Sequence, residues 1–266
     1  MRIERTEPAT GGETRTRREE IVPLFTSEEV EPEMYLDASG SESWEVKPPE
    51  GSAPSRWVVQ TEAVRGFIAP FEVLDSQAAA EQSSGDDEKG GVYCYPFNHK
   101  FLPIGHGDDD GDLNSSNFDE KLSAFARHYG VPGGGTAIMT AVQAADKHYM
   151  AEFGPGGENE RSRADRPVRA RVVWTDGELK DAGAFAQYLA DAEAAPGREH
   201  IGTRKSWDET WAVAILGYGD DHDATLLSYQ ALAKQHPYVH VYSFSEVANP
   251  AEIAEDMALA VVPTQA

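Results

Sequence analysis

The chain has 266 residues, 46 acidic against 23 basic, and a formal net charge of −23 at pH 7, with a sequence pI near 4.6. That charge repels nucleic-acid phosphates and anionic membrane surfaces, attracts divalent cations or a basic partner, and also keeps a protein dispersed. With 40% hydrophobic residues, the length suits one large α/β domain better than two small ones.

Residues 1–30 form a charged leader with one apolar patch, Ile21-Val22-Pro23-Leu24-Phe25, and read either as a disordered tail or as a segment that docks on the domain. No apolar run follows Met1, and no stretch of about 18 apolar residues is present, so neither a secretory signal nor a bilayer span is expected and the cytoplasm is the expected compartment. A first strand lies near 34–36 and stops at Asp37-Ala38-Ser39-Gly40-Ser41. Residues 57–71 read as a helix whose apolar face carries Val58, Val59, Ala63, Phe67 and Ile68. Strands near 92–97 and 101–104 are expected to form a hairpin around Asn98-His99. Ser115-Ser116-Asn117 is a cap signal for a helix over 118–128.

Gly133-Gly134-Gly135-Thr136 then opens a helix to about 153, and a polar loop covers 154–166. The strand Val168–Thr175 ends at Asp176-Gly177-Glu178 and is followed by a helix over 182–194. A strand over 211–216 ends in Gly217-Tyr218-Gly219; a helix over 224–235, a strand over 239–244 and a short helix near 251–258 complete the pattern. Strands separated by helices require crossover connections, so the expected fold is α/β, with a doubly wound, mostly parallel central sheet flanked by helices.

The chemistry gathers at strand ends and one helix start. Asp37, Ser39 and Ser41 bring a carboxylate and two hydroxyls to the carboxyl end of a strand, where open α/β sheets bind ligands. Their oxygens suit a hard cation, Mg²⁺ or alternatively Mn²⁺ or Ca²⁺. Thr136 behind three glycines and Asp176 at a strand end supply two further oxygens. On these residues the chain resembles the von Willebrand factor type A (vWA) family, whose metal-ion-dependent adhesion site, MIDAS, is built from D-x-S-x-S, a distant Thr and a T-D-G-type Asp. All five positions match: Asp37, Ser39, Ser41, Thr136 and Asp176. The resemblance spans residues 31–263, with insertions at about 42–54 and 81–117.

It implies a Rossmann-like vWA fold and a cation bound directly by Ser39 and Ser41, with Thr136, Asp37 and Asp176 completing the site. One position would stay open for a partner's carboxylate. The implied function is divalent-cation-dependent protein–protein binding by an intracellular adaptor or assembly component. The implied partner supplies an acidic residue and is an AAA-type ATPase or a larger assembly; nucleic acid and membrane are not expected partners. Glycines 133–135 are expected to let Thr136 move between bound and unbound arrangements.

Other features read more plainly. The insertion at 42–54 is expected to bulge out beside the metal, with Trp44 as a partner anchor; Trp44, Trp57 and Tyr218 form either an interface patch or core packing. Residues 108–112 tempt toward a calcium loop, but an EF-hand starting at Asp108 would need Gly and Glu where Leu113 and Asp119 stand, so a solvated acidic turn is expected. Cys94 reads as a buried hydrophobe, and His99 and His106 fit no zinc spacing. No catalytic residues are assigned: G-x-x-x-x-G-K-[ST] and G-x-S-x-G are absent, and Asp37 lacks the second aspartate of a D-x-D phosphotransferase. The alternative is a Mg-dependent hydrolase or phosphotransferase, in which the cation activates water.

Overall fold

The computed structural model describes residues 2–7, 15–20, 30–43, 55–82, 91–104, 112–162, 166–194, 209–216, 219–236 and 238–244, together with Ala254 and Met257. In chain order the elements are β1 (Arg2–Glu7), β2 (Arg15–Glu20), β3 (Val30–Leu36), a 3₁₀ turn (Gly40–Ser43), α1 (Arg56–Gln82), β4 (Val92–Cys94), β5 (Asp112–Leu113), α2 (Phe118–Tyr129), α3 (Met139–Phe153), β6 (Val168–Thr175), α4 (Ala182–Ala194), β7 (Glu209–Leu216), α5 (Gly219–Gln235) and β8 (Val239–Phe244).

The main sheet runs β5-β4-β3-β6-β7-β8. Its neighbours pair in parallel, except for the short edge strand β5 against β4. Counting from β3, that is the doubly wound order third, second, first, fourth, fifth, sixth, and the winding reverses between β3 and β6. The expected fold class is therefore the one observed.

Both faces of the sheet are covered, which is why β6 and β7 are buried along their full length and read as near-continuous apolar runs. Alternate residues go to opposite layers. Met34, Leu36, Val172, Trp174, Ala212 and Ala214 face α1, α2 and the residues Ala254 and Met257. Tyr35, Val173, Trp211, Val213 and Ile215 face α3, α4 and α5. In α1 the buried Val59, Ala63, Val64, Phe67, Ile68 and Phe71 recur at helical spacing and form its core stripe.

Where the sheet parts from the expectation, the reasons are local. Helix α1 contains Pro70 and continues to Gln82, beyond the expected end at residue 71. Pairing between β3 and the segment after β4 persists through Tyr95 N–H to Met34 O and Phe97 N–H to Leu36 O, so the 92–97 strand holds as a paired segment. The hairpin after it shrinks to one antiparallel bridge, Phe97 to Phe101, because β4 takes β5 as its antiparallel partner. Within residues 1–30, β1 and β2 form an antiparallel ladder whose register sets Arg2 opposite Glu20, Glu4 opposite Arg18 and Glu7 opposite Arg15, and also Arg5 opposite Arg17; residues 8–14 and 21–29 lie outside the described residues.

An ionic cluster lies within the α3–α4 layer. Arg171, 0% exposed, donates from Nε to Glu33 at 2.9 Å, from Nη1 to Glu209 at 3.0 Å and Tyr188 at 2.8 Å, and from Nη2 to Asp146 at 2.5 Å. Arg169 bonds the other Glu33 oxygen and Asp146 as well. Burial pushes Glu33 up, but the two guanidinium charges and hydrogen bonds from Arg169 and Tyr35 outweigh it and hold the carboxyl below its usual value. Among the described residues no helix is long and apolar enough to cross a membrane.

Candidate metal centre

Asp37 directly follows β3 and Asp176 directly follows β6, the neighbouring strands where the winding reverses. The β3–β6 register sets Leu36 opposite Trp174, and Asp37 N–H continues the ladder by donating to Trp174 O at 2.9 Å. Apolar sequence on both strands thus delivers two carboxylates to one point.

Asp37 is held from both sides. Its Oδ1 accepts the Ser39 N–H at 2.9 Å, and its Oδ2 accepts the Thr175 hydroxyl at 2.7 Å. The Ser39 and Ser41 hydroxyls lie 3.0 Å apart, so the D-x-S-x-S segment curls into a compact oxygen-lined turn. Asp176 Oδ1 accepts the Glu178 N–H at 3.0 Å, and its Oδ2 takes Arg56 Nη1 at 2.9 Å. Gly177 has a φ of +83°, which favours glycine in this turn.

Glu42, expected to belong to an outward bulge, is instead fully buried in the site. It sits on the 3₁₀ turn Gly40–Ser43, which folds its side chain inward. Its Oε1 accepts the Asp176 N–H at 3.1 Å and its Oε2 accepts Gln60 Nε2 at 3.3 Å. Ligand atoms of Asp37, Glu42 and Asp176 all lie within 4.8 Å of one another. The remainder of that insertion, including Trp44, lies outside the described residues, as does Tyr218.

Such crowding is electrostatically costly. Burial, and then the Asp176 charge, pushes Asp37 up to about 7, against hydrogen bonds from Ser39 and Thr175 that pull it down. Burial, then the charges of Asp37 and Asp176, push Glu42 well above its ordinary value. Buried carboxylates this close relax by taking up protons or a cation. Hydroxyl and carboxylate oxygens without sulfur or imidazole form a donor set that fits a hard cation.

Thr136 is buried, and its loop lies against the D-x-S-x-S turn: Gly133 N–H donates to Ala38 O at 2.8 Å, and Gly40 N–H donates to Gly134 O at 3.0 Å. Further hydrogen bonds anchor the loop. Asn98 Nδ2 holds Gly133 O, Ala137 N–H holds Asn98 O, and Lys180 N–H holds Thr136 O. Asp181 caps the start of α3 by accepting the N–H groups of Ile138 and Met139. The glycines serve shape: Gly134 has a φ of +91°, and a Cβ there would press on Asn98 and His99 at 3.1 Å.

Sequence reasoning missed Glu42, Arg56, Gln60 and Thr175. Only Thr175 carried a signal, as the residue beside Asp176; Arg56 and Gln60 depend on how α1 docks, and Glu42 on the 3₁₀ turn. Trp57 stacks on Phe125 with ring centroids 6.3 Å apart, which makes it core packing rather than an interface anchor. Cys94 is buried, and burial pushes its thiol pKa up, in keeping with a small hydrophobe. His99 is exposed, while residues 105–111, with His106 and most of the acidic run, lie outside the described residues.

No protein-family model matches this chain, and no curated protein matches it. Among solved structures it is similar to a mutant of the PilB minor pilin from Streptococcus sanguinis, at 11% sequence identity and a TM-score of 0.48. That likeness covers 90% of this chain and 62% of the pilin chain, so the present chain spans less than two thirds of its neighbour's length.

Proposed function

We propose that this chain is a vWA-type domain acting inside the cell as a divalent-cation-dependent protein-binding module. Asp37, Ser39, Ser41, Thr136 and Asp176 would hold Mg²⁺, or Mn²⁺ or Ca²⁺ in its place. The observation that carries this reading is the meeting of Asp37 and Asp176, both buried, at the ends of β3 and β6 where the sheet reverses its winding. A hard cation supplies there an electrophilic position that a partner's carboxylate can fill.

The chain's own groups do the remaining work. Thr175 and the Ser39 N–H orient Asp37, the Glu178 N–H orients Asp176, and bonds from Ala38, Gly40, Asn98 and Lys180 hold the Thr136 loop in place.

The test is calorimetric titration of Mn²⁺ into the full chain and into Asp37→Ala, with a partner pull-down in Mg²⁺ and again in chelator. Loss of ion binding in Asp37→Ala, together with chelator-sensitive capture, is the expected result. Equal Mn²⁺ binding by wild type and Asp37→Ala refutes the site assignment.

A further inference from the structure

Two side chains outside the five-residue motif, Glu42 and Arg56, bracket Asp176. Glu42 Oε1 accepts the Asp176 N–H, while Arg56 Nη1 donates to Asp176 Oδ2 at 2.9 Å with the arginine side chain only 12% exposed. Ionised, the three carboxylates and one guanidinium leave a charge of −2 in a buried space, the charge that one divalent cation neutralises. Each of the six carboxylate oxygens accepts a hydrogen bond from a fixed donor. A carboxylate oxygen can accept two, so the set is oriented without being saturated.

One further group at this site lacks a partner. Gln60, 0% exposed, gives its Nε2 to Asp37 O at 2.7 Å and to Glu42, which fixes the orientation of the amide. Its Oε1 finds no hydrogen-bond partner among the described residues. An orphaned buried oxygen beside these carboxylates calls for a positive ligand or for water carried on one.

We propose that Glu42 is a resident carboxylate of this site and Arg56 its internal counter-ion, so that Glu42 strengthens divalent-cation binding and Arg56 holds it down by competing for Asp176. The proposal rests on the cation-binding reading above and adds the tuning of that site. It makes the affinity a property of Glu42 on the 3₁₀ turn and of Arg56, the first residue of α1, neither of which belongs to the five-residue motif.

The experiment is calorimetric titration of Mn²⁺ into the full chain and into Glu42→Gln and Arg56→Met, with circular dichroism to verify folding. Glutamine keeps an oxygen for the Asp176 N–H and removes the charge, but its amide nitrogen takes the place of the oxygen that accepts from Gln60 Nε2, so Arg56→Met, which leaves that contact intact, is read beside it. Glu42→Gln is expected to weaken Mn²⁺ binding by about 10- to 100-fold. Arg56→Met is expected to tighten it by on the order of tenfold. Unchanged affinity in Glu42→Gln, with Asp37→Ala inactive, overturns this inference and leaves the cation site standing. A wild-type chain that binds no Mn²⁺ overturns both. Should Glu42→Gln fail to fold, Arg56→Met decides alone, and affinity equal to or weaker than wild type overturns the proposal.

Discussion

Replacing Arg171 with methionine removes the one cation that touches Glu33, Glu209 and Asp146 together. The side chain is 0% exposed, so no water replaces its hydrogen bonds, and Glu33 keeps only Arg169 as a cationic partner. Breaking a buried pair by deleting one partner costs about 3–5 kcal/mol, because the surviving charge is left in low dielectric. For a chain of this length, where about 1 kcal/mol moves Tm by roughly 2–4 °C, the fall at pH 7 is roughly 6–20 °C. The pH dependence distinguishes charge from packing. Glu33 and Asp146 are both held below their ordinary values of 4.5 and 3.8, so in wild type the stability they contribute is present above those values and is lost as pH falls through the folded-state values. Without Arg171, burial raises Glu33, the carboxyl takes up a proton, and the penalty on the variant shrinks in acid. The wild-type-minus-variant gap, followed by thermal melts from pH 4 to pH 8, should be widest above about pH 5 and narrow toward pH 4. A fall under about 2 °C at pH 7, or a gap of the same size at pH 4, would show that the cluster is not electrostatically coupled as described.

Mn²⁺ at one hundred times its Kd should stabilise the chain by about 2.7 kcal/mol, a rise of roughly 5–10 °C in Tm that chelator reverses; a melt indifferent to the ion counts against the site. Gly134→Ala should lower stability by about 1–3 kcal/mol in chemical denaturation, since it places a Cβ at a φ of +91° and against Asn98 and His99. Asp181→Asn should cost about 1 kcal/mol in the same assay, because it removes the negative charge that accepts both Ile138 and Met139 N–H at the start of α3; no change would mean that the cap is dispensable.

Periodicity made the sheet legible. Runs such as Trp211 to Leu216 show buried strands because both faces are covered, and helices α2, α3 and α4 begin or end where caps and apolar spacing place them. The site was legible wherever ligands hang from those strands, as Asp37 and Asp176 do. It was not legible where a side chain arrives from a helix whose docking no local pattern encodes, as with Gln60 and Arg56. Glu42 was hidden for a different reason: one residue beyond the motif, a 3₁₀ turn reverses the direction in which the chain was expected to leave. The glycines before Thr136 read as permissive residues, and the sequence did not show the hydrogen bonds with Ala38, Gly40, Asn98 and Lys180 that anchor their loop. In the leader, composition carried no register, and the β1–β2 ladder sets three opposite-charge pairs and one like pair, Arg5 with Arg17, across from each other.

The pairing of Glu33 with Arg171 across β3 and β6 has a consequence at the far end of both strands. A parallel pair carries no hairpin turn to index it, and a slide of one residue would send every side chain on the moving strand to the wrong layer. Glu33 and Arg171 are direct cross-strand partners, and Asp37 stands four positions downstream of that lock. The ion pair thus works as an alignment pin, setting how far each strand protrudes, so that Asp37 arrives beside Thr175 with Asp176 one residue on. Loops at the carboxyl end can then diverge in length and sequence while the spacing of Asp37 and Asp176 stays constant, because that spacing is measured from below.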